Sequence, residues 1–344
     1  MKITQLAIVL LVLPGLFIAY LSETETNAMT NQAEKKWAIA IHGGAGTISK
    51  TKTDSVIQAY KTDLNKALSI GKKILEEGGS SLEAVEKTIR YLEDNPKFNA
   101  GKGAVFTHEG EHELDAAIMI GNTSQAGAVT GVRTVKNPIT LARLVMEKSK
   151  HVMFAAEGAE RFATEMGVER VDQEYFYTRK RYESYKRALG REQGRSLKPS
   201  PSVDSELSDH PLGTVGCVAV DEDGQIVAGT STGGITNKLY GRVGDVPVVG
   251  SGTYASDLVA VSMTGQGEKI MRAVSGHTVS SYMRFNNASL EEAGEYLLTE
   301  VLNPGEAGMI AVDREGTIYM NMNTLGMYRG AADSEGYHEI AIWE

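Results

Sequence analysis

One stretch of the chain has the residue types for self-contained nucleophilic chemistry: Gly213-Thr214-Val215-Gly216-Cys217-Val218-Ala219-Val220. A hydroxyl residue stands between a glycine and an apolar run. A threonine hydroxyl is a poor nucleophile until a base takes its proton. If the Gly213–Thr214 bond were cut by the protein itself, Thr214 would become a chain end. Its α-amine, with an ordinary pKa of ~7.7–8.0, would then supply that base on the same residue. Such an arrangement needs no Ser-His-Asp set. Glycine before the hydroxyl leaves the attacked carbonyl unobstructed and tolerates backbone strain. The plainer alternative is a loop running into a strand, with Thr214 merely β-branched.

The elements around this stretch sharpen the contrast. Upstream, residues 190–212 are rich in Pro, Ser and charge without periodicity, which reads as a flexible linker. Downstream, Val215 to Val220, a turn at Asp221-Glu-Asp-Gly224 and Ile226 to Thr230 read as a hairpin. Further hairpins are expected at Ala116–Ile120 with Ala126–Val132 and at Met309–Val312 with Thr317–Met322. Trp37–Ile41 and Ala104–Phe106 read as short strands. Helical periodicity appears over Ser55–Leu75, from Ser81, over Pro138–Lys148, Ala155–Met166 and Ser289–Val301, in the charged segment Arg179–Arg187, and in a short helix from Glu268 to Ser275. The segments Val248–Gly252 and Ser262–Gly267 read as glycine-rich loops. Two strand-rich halves with paired helices suggest stacked antiparallel sheets with helices outside.

Other candidate groups are weaker on their own. His42-Gly-Gly-Ala-Gly46 follows a strand and reads as a tight turn, or as a loop holding an anion or strained peptide; it lacks the phosphate-loop and dinucleotide spacings. Asn99, before Ala100-Gly101, contacts a ligand or caps the turn, and the cap is the simpler reading. His112, Glu113 and Asp115 invite a metal, but the spacing does not suit a zinc site and no second His is near. Arg242 and Asp245, in a glycine-rich loop, suit a zwitterionic head group or form a surface ion pair. Cys217 is the single cysteine, so no intrachain disulfide or multi-cysteine zinc site exists; it reads as a small core residue.

Composition excludes some classes. The net charge is −9, without long basic runs, which argues against nucleic acid as a partner. With 344 residues and 42% hydrophobic content the chain can bury a large core. At the N-terminus, Lys2 precedes an apolar run from Leu6 to Leu21 containing Pro14-Gly15, shorter than the ~20 residues a membrane span requires. With the polar stretch after it and Thr26-Asn27-Ala28 as a cleavage site, residues 1–28 read as a signal peptide, or as an anchor if uncut. The protein is then expected to be exported, periplasmic or secreted.

Six motifs occur together and in order: His42-Gly-Gly-Ala-Gly46, Phe98-Asn-Ala-Gly101, Gly213-Thr-Val-Gly216, Thr230-Ser-Thr-Gly-Gly234, Gly241-Arg-Val-Gly-Asp245 and Thr264-Gly-Gln-Gly267. Across about residues 36 to 330 the chain resembles the plant-type asparaginase/isoaspartyl peptidase family of N-terminal-nucleophile hydrolases. The resemblance implies an α+β fold, a four-layer αββα sandwich. It implies self-cleavage into an α chain (29–213) and a β chain (214–344) that stay together, commonly as a dimer of αβ units. Thr214 would attack the side-chain amide of asparagine or the isopeptide carbonyl of a β-aspartyl dipeptide. Thr232 would hydrogen-bond the nucleophile, and Arg242 and Asp245 would hold the substrate α-carboxylate and α-amine. Thr264 and the Gly265 N–H would form the oxyanion hole, with Asn99 near the bond cut between Gly213 and Thr214. No cofactor is implied for catalysis. A structural sodium ion is implied in the loop Leu92 to Lys102, held by the backbone carbonyls of Leu92, Glu93, Asn95, Phe98, Ala100 and Lys102. An export signal is more familiar in the glycosylasparaginase branch, so deglycosylation of asparagine is the alternative activity. A non-catalytic exported binding protein is the alternative from another class.

Overall fold

The computed structural model describes residues 36–192 and 213–344. The apolar N-terminal run, and the linker beyond residue 192, lie outside the described residues. Among the described residues no helix is long and apolar enough to cross a membrane.

The first half contributes strand β1 (Ala38–Gly46), helices α1 (Asp54–Glu76) and α2 (Ser81–Asp94), strands β2 (Leu114–Ile120) and β3 (Gln125–Val132), helix α3 (Pro138–Lys148), strand β4 (Met153–Ala155), helix α4 (Ala156–Glu165) and helix α5 (Arg179–Glu192). After the linker come β5 (Val215–Val220), β6 (Ile226–Thr232), β7 (Thr253–Ala255), β8 (Val259–Gly265), α6 (Gly267–Arg272), α7 (Ser275–Asn286), α8 (Leu290–Tyr296), β9 (Ala307–Asp313), β10 (Ile318–Met322), β11 (Gly326–Asp333) and β12 (His338–Ala341). A single π turn, Leu297–Val301, extends α8.

The strands make two sheets. The larger has the order β12-β11-β1-β5-β6-β2-β3-β4, the smaller β10-β9-β8-β7. Alternation along each strand separates two cores. On β1, Ile39 and Ile41 point to the helical side, joining Leu64 and Leu68 of α1, Val85 and Ile89 of α2, and Ile139 of α3. Ala38 and Ala40 point the other way and meet Ala260, Ile310 and Val312 of the small sheet. Small residues on this inner face let the sheets approach. The outer face of the small sheet, Val259, Val261 and Met263, is covered by Val279 of α7 and Leu290 of α8. The layers therefore run helix, sheet, sheet, helix, as the resemblance implied.

Several local expectations change. The edge pair β3–β4 is parallel, because α3 lies between those strands as a crossover, so the large sheet is not wholly antiparallel. Strand β1 does not stop at Ile41. It continues to Gly46, and its register on β11 shifts between His42 and Ala45, so the glycines form a bulge in place of a tight turn. Ala104–Phe106 is not a strand; its residues follow a 3₁₀ turn at Gly101–Gly103. Residues 190–192 belong to α5 and not to the linker. Ser262-Met-Thr264 belongs to β8, not to a loop, because the apolar run from Val259 pairs along its length with β9. Cys217 is buried in the helix-side core, which pushes its thiol pKa up.

Candidate active site

Thr214 immediately precedes β5, which lies within the large sheet between β1 and β6. Its hydroxyl donates to Thr232 Oγ1 at 3.2 Å. Thr232, the last residue of β6, donates in turn to the carbonyl oxygen of Gly213 at 3.3 Å. Gly234 N–H supports Thr232 Oγ1 at 3.0 Å. Asn99 Nδ2 donates to the same Gly213 oxygen at 2.7 Å and to the Gly234 carbonyl at 2.7 Å, while its Oδ1 accepts from Val105 N. Asn99 is therefore more than a turn cap. Its amide is satisfied on both sides, which fixes the orientation that aims Nδ2 at the junction.

The His42–Gly46 bulge walls the other side. Gly44, at φ +111, lies so close that a Cβ there would stand 2.8 Å from Gly213 Cα and 3.3 Å from Thr214 N. That approach, together with the positive φ, requires glycine. Ala45 N donates to Thr264 Oγ1 at 3.1 Å, which leaves the buried Thr264 hydroxyl proton available to a further acceptor. Gly265 follows at φ +143, with Glu306 O only 2.2 Å from where a Cβ would lie. The glycine spacings in the sequence carried this wall without revealing that it surrounds Thr214.

Arg242 and Asp245 converge on Gly267. A Cβ there would stand 2.7 Å from Arg242 Nη2 and 2.8 Å from Asp245 Oδ1. Asp245 is buried, its Oδ2 has no hydrogen-bond partner among the described residues, and burial raises its pKa to about 7. Arg242 is engaged by Glu268, which the sequence marks only as a helix start. Its Nε and Nη2 donate to both carboxylate oxygens of Glu268 at 2.8 and 2.9 Å. A cavity of about 710 Å³ opens beside Arg242, walled also by Asp115, Thr130, Arg133, Arg170 and Lys238.

His112, Glu113 and Asp115 each have separate partners. His112 Nδ1 lies 3.1 Å from Val105 O and its ring packs on Phe106. Glu113 faces Lys238, and Asp115 Oδ1 accepts from Thr130 Oγ1 and Gly131 N. In the loop from Leu92 to Lys102 two glycines pass close to backbone carbonyls. A Cβ at Gly101 would stand 2.4 Å from Glu93 O, and one at Gly103 2.0 Å from Phe98 O. The carbonyls of Leu92, Asn95 and Ala100 each accept one backbone N–H, leaving their second lone pairs. Lys102 Nζ turns away over the Tyr175 ring at 5.0 Å. The Glu93 side chain was not foreseen as functional: fully buried, it accepts from Ser231 Oγ at 2.7 Å and Ile139 N at 3.0 Å, and burial raises its pKa to about 8.

A family model described as Asparaginase matches residues 35–342. The chain belongs to the asparaginase family. It is 47% identical to the isoaspartyl peptidase of Escherichia coli (strain K12) over 298 residues, covering 86% of this chain and 92% of that protein. It is 43% identical over 325 residues to a probable isoaspartyl peptidase/L-asparaginase 2 of Arabidopsis thaliana, covering 90% and 99%. It is 42% identical over 294 residues to a plant-type L-asparaginase of Pyrococcus furiosus, covering 84% and 94%. The asparaginase family match spans both sheets and all the residues of the site described above.

Proposed function

We infer that this chain is an autoprocessed threonine hydrolase. It cleaves β-aspartyl (isoaspartyl) dipeptides and the side-chain amide of L-asparagine, releasing L-aspartate. The observation that carries the reading is the hydrogen-bond path at the junction: Thr214 Oγ1 to Thr232 Oγ1, and Thr232 and Asn99 to the Gly213 oxygen. A hydroxyl is seated beside a carbonyl already polarised by two donors. The names of the relatives support the substrate class.

Processing begins when Thr214 Oγ1 attacks the Gly213 carbonyl carbon. Asn99 and Thr232 stabilise the charge that develops on the oxygen. The C–N bond breaks as the Thr214 nitrogen takes up a proton, leaving an ester. Water hydrolyses the ester, releasing the Gly213 carboxylate and a free Thr214 amine. In turnover that amine accepts the hydroxyl proton as Oγ1 attacks the substrate β-carbonyl. Thr264 and the Gly265 N–H meet the oxyanion. The proton passes to the leaving nitrogen, and water then resolves the aspartyl ester. Arg242 pairs with the α-carboxylate as a fork and Asp245 with the α-ammonium.

Three further features belong to this reading. The two chains stay together, since β1 of the first half lies between β11 and β5 of the second. The carbonyls of Leu92, Glu93, Asn95, Phe98, Ala100 and Lys102 would hold a structural sodium ion that stiffens the loop before Asn99. The apolar segment Leu6–Leu21 directs export, and the family match begins only after it, at residue 35. Thr214→Ala tests the core of the reading. It should remain one chain and release neither aspartate nor ammonia from β-aspartyl dipeptide, asparagine or glycosylasparagine. Turnover by that variant would remove Thr214 as nucleophile, and a wild-type preference for glycosylasparagine would move the substrate assignment.

A further inference from the structure

Beneath Thr214, Thr232 and Thr264 lies a second tier, two residues along each strand. Gly216 stands below Thr214 on β5, Thr230 below Thr232 on β6, and Ser262 below Thr264 on β8. Residues two apart on a strand share a face. His42 of β1 fills the space that Gly216 leaves, where a Cβ would stand 2.3 Å from His42 Nε2 and 2.1 Å from Ser262 Oγ. His42 Nδ1 is 3.0 Å from the Thr214 carbonyl oxygen, and Nε2 is 2.9 Å from Ser262 Oγ. Ser262 Oγ is 2.8 Å from Thr230 Oγ1.

The proton positions follow from the partners. A carbonyl only accepts, so Nδ1 carries the hydrogen and donates to Thr214 O. Complete burial lowers the ring's pKa to about 3, partly offset by that carbonyl, so the imidazole is neutral at working pH. Nε2 then accepts from the Ser262 hydroxyl, and Ser262 Oγ accepts from Thr230. One ring thus links the nucleophile's own carbonyl to the strands bearing the two other threonines of the site.

We propose that His42 is a positioning residue for the nucleophile, its Nδ1–H holding the Thr214 carbonyl and so setting the direction of Thr214 Oγ1 relative to Thr232 and Thr264. The assignment rests on Thr214 being the nucleophile. His42 touches no substrate and acts through Thr214. Its importance rises after cleavage. The intact chain holds Thr214 from both sides, whereas the processed chain holds it only through its carbonyl end, and free termini fray unless tied down. His42 therefore matters more for turnover than for processing.

The test separates the two ring nitrogens. His42→Asn places an amide N–H where Nδ1 sits and forfeits the Ser262 bond. His42→Gln reaches Ser262 and forfeits the bond to Thr214. With a β-aspartyl dipeptide, His42→Gln should still yield two chains, with KM little changed and kcat lower by about 100-fold, as expected for ångström-scale misplacement. His42→Asn should recover most of that loss. Equal kcat in His42→Gln and wild type, or rescue by Gln and not by Asn, overturns the proposal. Ring nitrogen NMR of the wild type, with the His42 signal identified by its loss in either variant, should show the Nδ1–H tautomer at neutral pH. The Nε2–H tautomer overturns the proposal even if neither variant matures. A wild type inactive on every β-aspartyl substrate, yet showing the Nδ1–H tautomer, would count against the hydrolase reading and not against the anchor.

Discussion

The amide nitrogen of Asn99 lies 2.7 Å from the carbonyl oxygen of Gly213, the oxygen that turns negative in the proposed attack of the Thr214 hydroxyl on the bond between them. Removing one preorganised donor of this kind costs ~10²–10³ in rate. Asn99→Ala should therefore slow conversion of the single chain into two by that factor, followed as the fraction of uncut chain on denaturing gels over time. Thr232, at 3.3 Å from the same oxygen, remains as the second donor, so cleavage is slowed and not abolished. Processing at the wild-type rate would remove Asn99 from the step.

The meeting of linker and strand at Gly213-Thr214 was legible locally, but local signals left Thr214 open and favoured a turn cap for Asn99; only the set of motifs taken together pointed to roles for them. The hairpins β2–β3, β5–β6 and β9–β10 were legible locally, since turn residues and alternation lie within one short window. What escaped was nonlocal. Pairing of β1 with β11 joins residues at opposite ends of the chain, and no local pattern encodes it. Strand β8 was hidden because the glycines after Thr264 gave a stronger loop signal than Val259–Met263 gave a strand signal. His42 was passed over because a lone histidine before glycines acquires its meaning only when Gly216 and Ser262 are brought against it. Glu268 and the Glu93 side chain belong to the same class, with roles set by partners far away in sequence.

The pair Arg242–Glu268 bears on substrate affinity. Both donors Nε and Nη2 face Glu268, and in the proposed binding pose a substrate carboxylate takes over at least part of that fork. Glu268 is about half exposed, so the pair contributes only ~0.2–1 kcal/mol. Glu268→Gln should lower KM for β-aspartyl dipeptides by up to about five-fold, from the ion pairing no longer given up. Arg242→Ala should raise KM much further, because it removes the bidentate partner itself. The measurement is initial rate against dipeptide concentration for each variant. A higher KM in Glu268→Gln would mean that the glutamate holds Arg242 in its binding pose and does not compete with substrate.

Glu93 makes stability depend on pH. Its pKa is raised from its ordinary value to about 8 by burial, against the opposing hydrogen bonds from Ser231, Ile139 and Asn137. Between pH 4.5 and about 8 the native carboxyl holds its proton while the unfolded one has lost it. The native state binds more protons, so stability falls as pH rises through this window, by at most ~1.4 kcal/mol per pH unit for each such group. Asp245, raised to about 7, acts in the same direction over a lower window. From pH 7 to 8 the slope from this pair belongs mainly to Glu93. Urea midpoints of wild type and Glu93→Gln should therefore lie closest at pH 5 and separate through pH 7 and 8, with the wild type falling below the variant and the variant showing the shallower decline. Parallel curves would place the Glu93 titration outside this window.

The proposed pairing of Asp245 with the substrate ammonium makes catalysis depend on pH. Its carboxyl must be ionised to hold an α-ammonium, and burial delays that ionisation to about pH 7 in the free site. The Thr214 amine must be neutral to act as base, and its ordinary pKa is ~7.7–8.0. Both changes improve the enzyme as pH rises. A plot of log kcat/KM against pH, which reports free-enzyme ionisations, should climb with a slope approaching two at acid pH and level off above the amine's range. A succinyl dipeptide has the scissile amide but no α-amine, so it gains nothing from an ionised Asp245. With it the acid limb should drop to a slope of one, leaving the Thr214 amine alone. If the succinyl analogue and the β-aspartyl dipeptide gave superimposable profiles, Asp245 would not be the partner of the substrate amine.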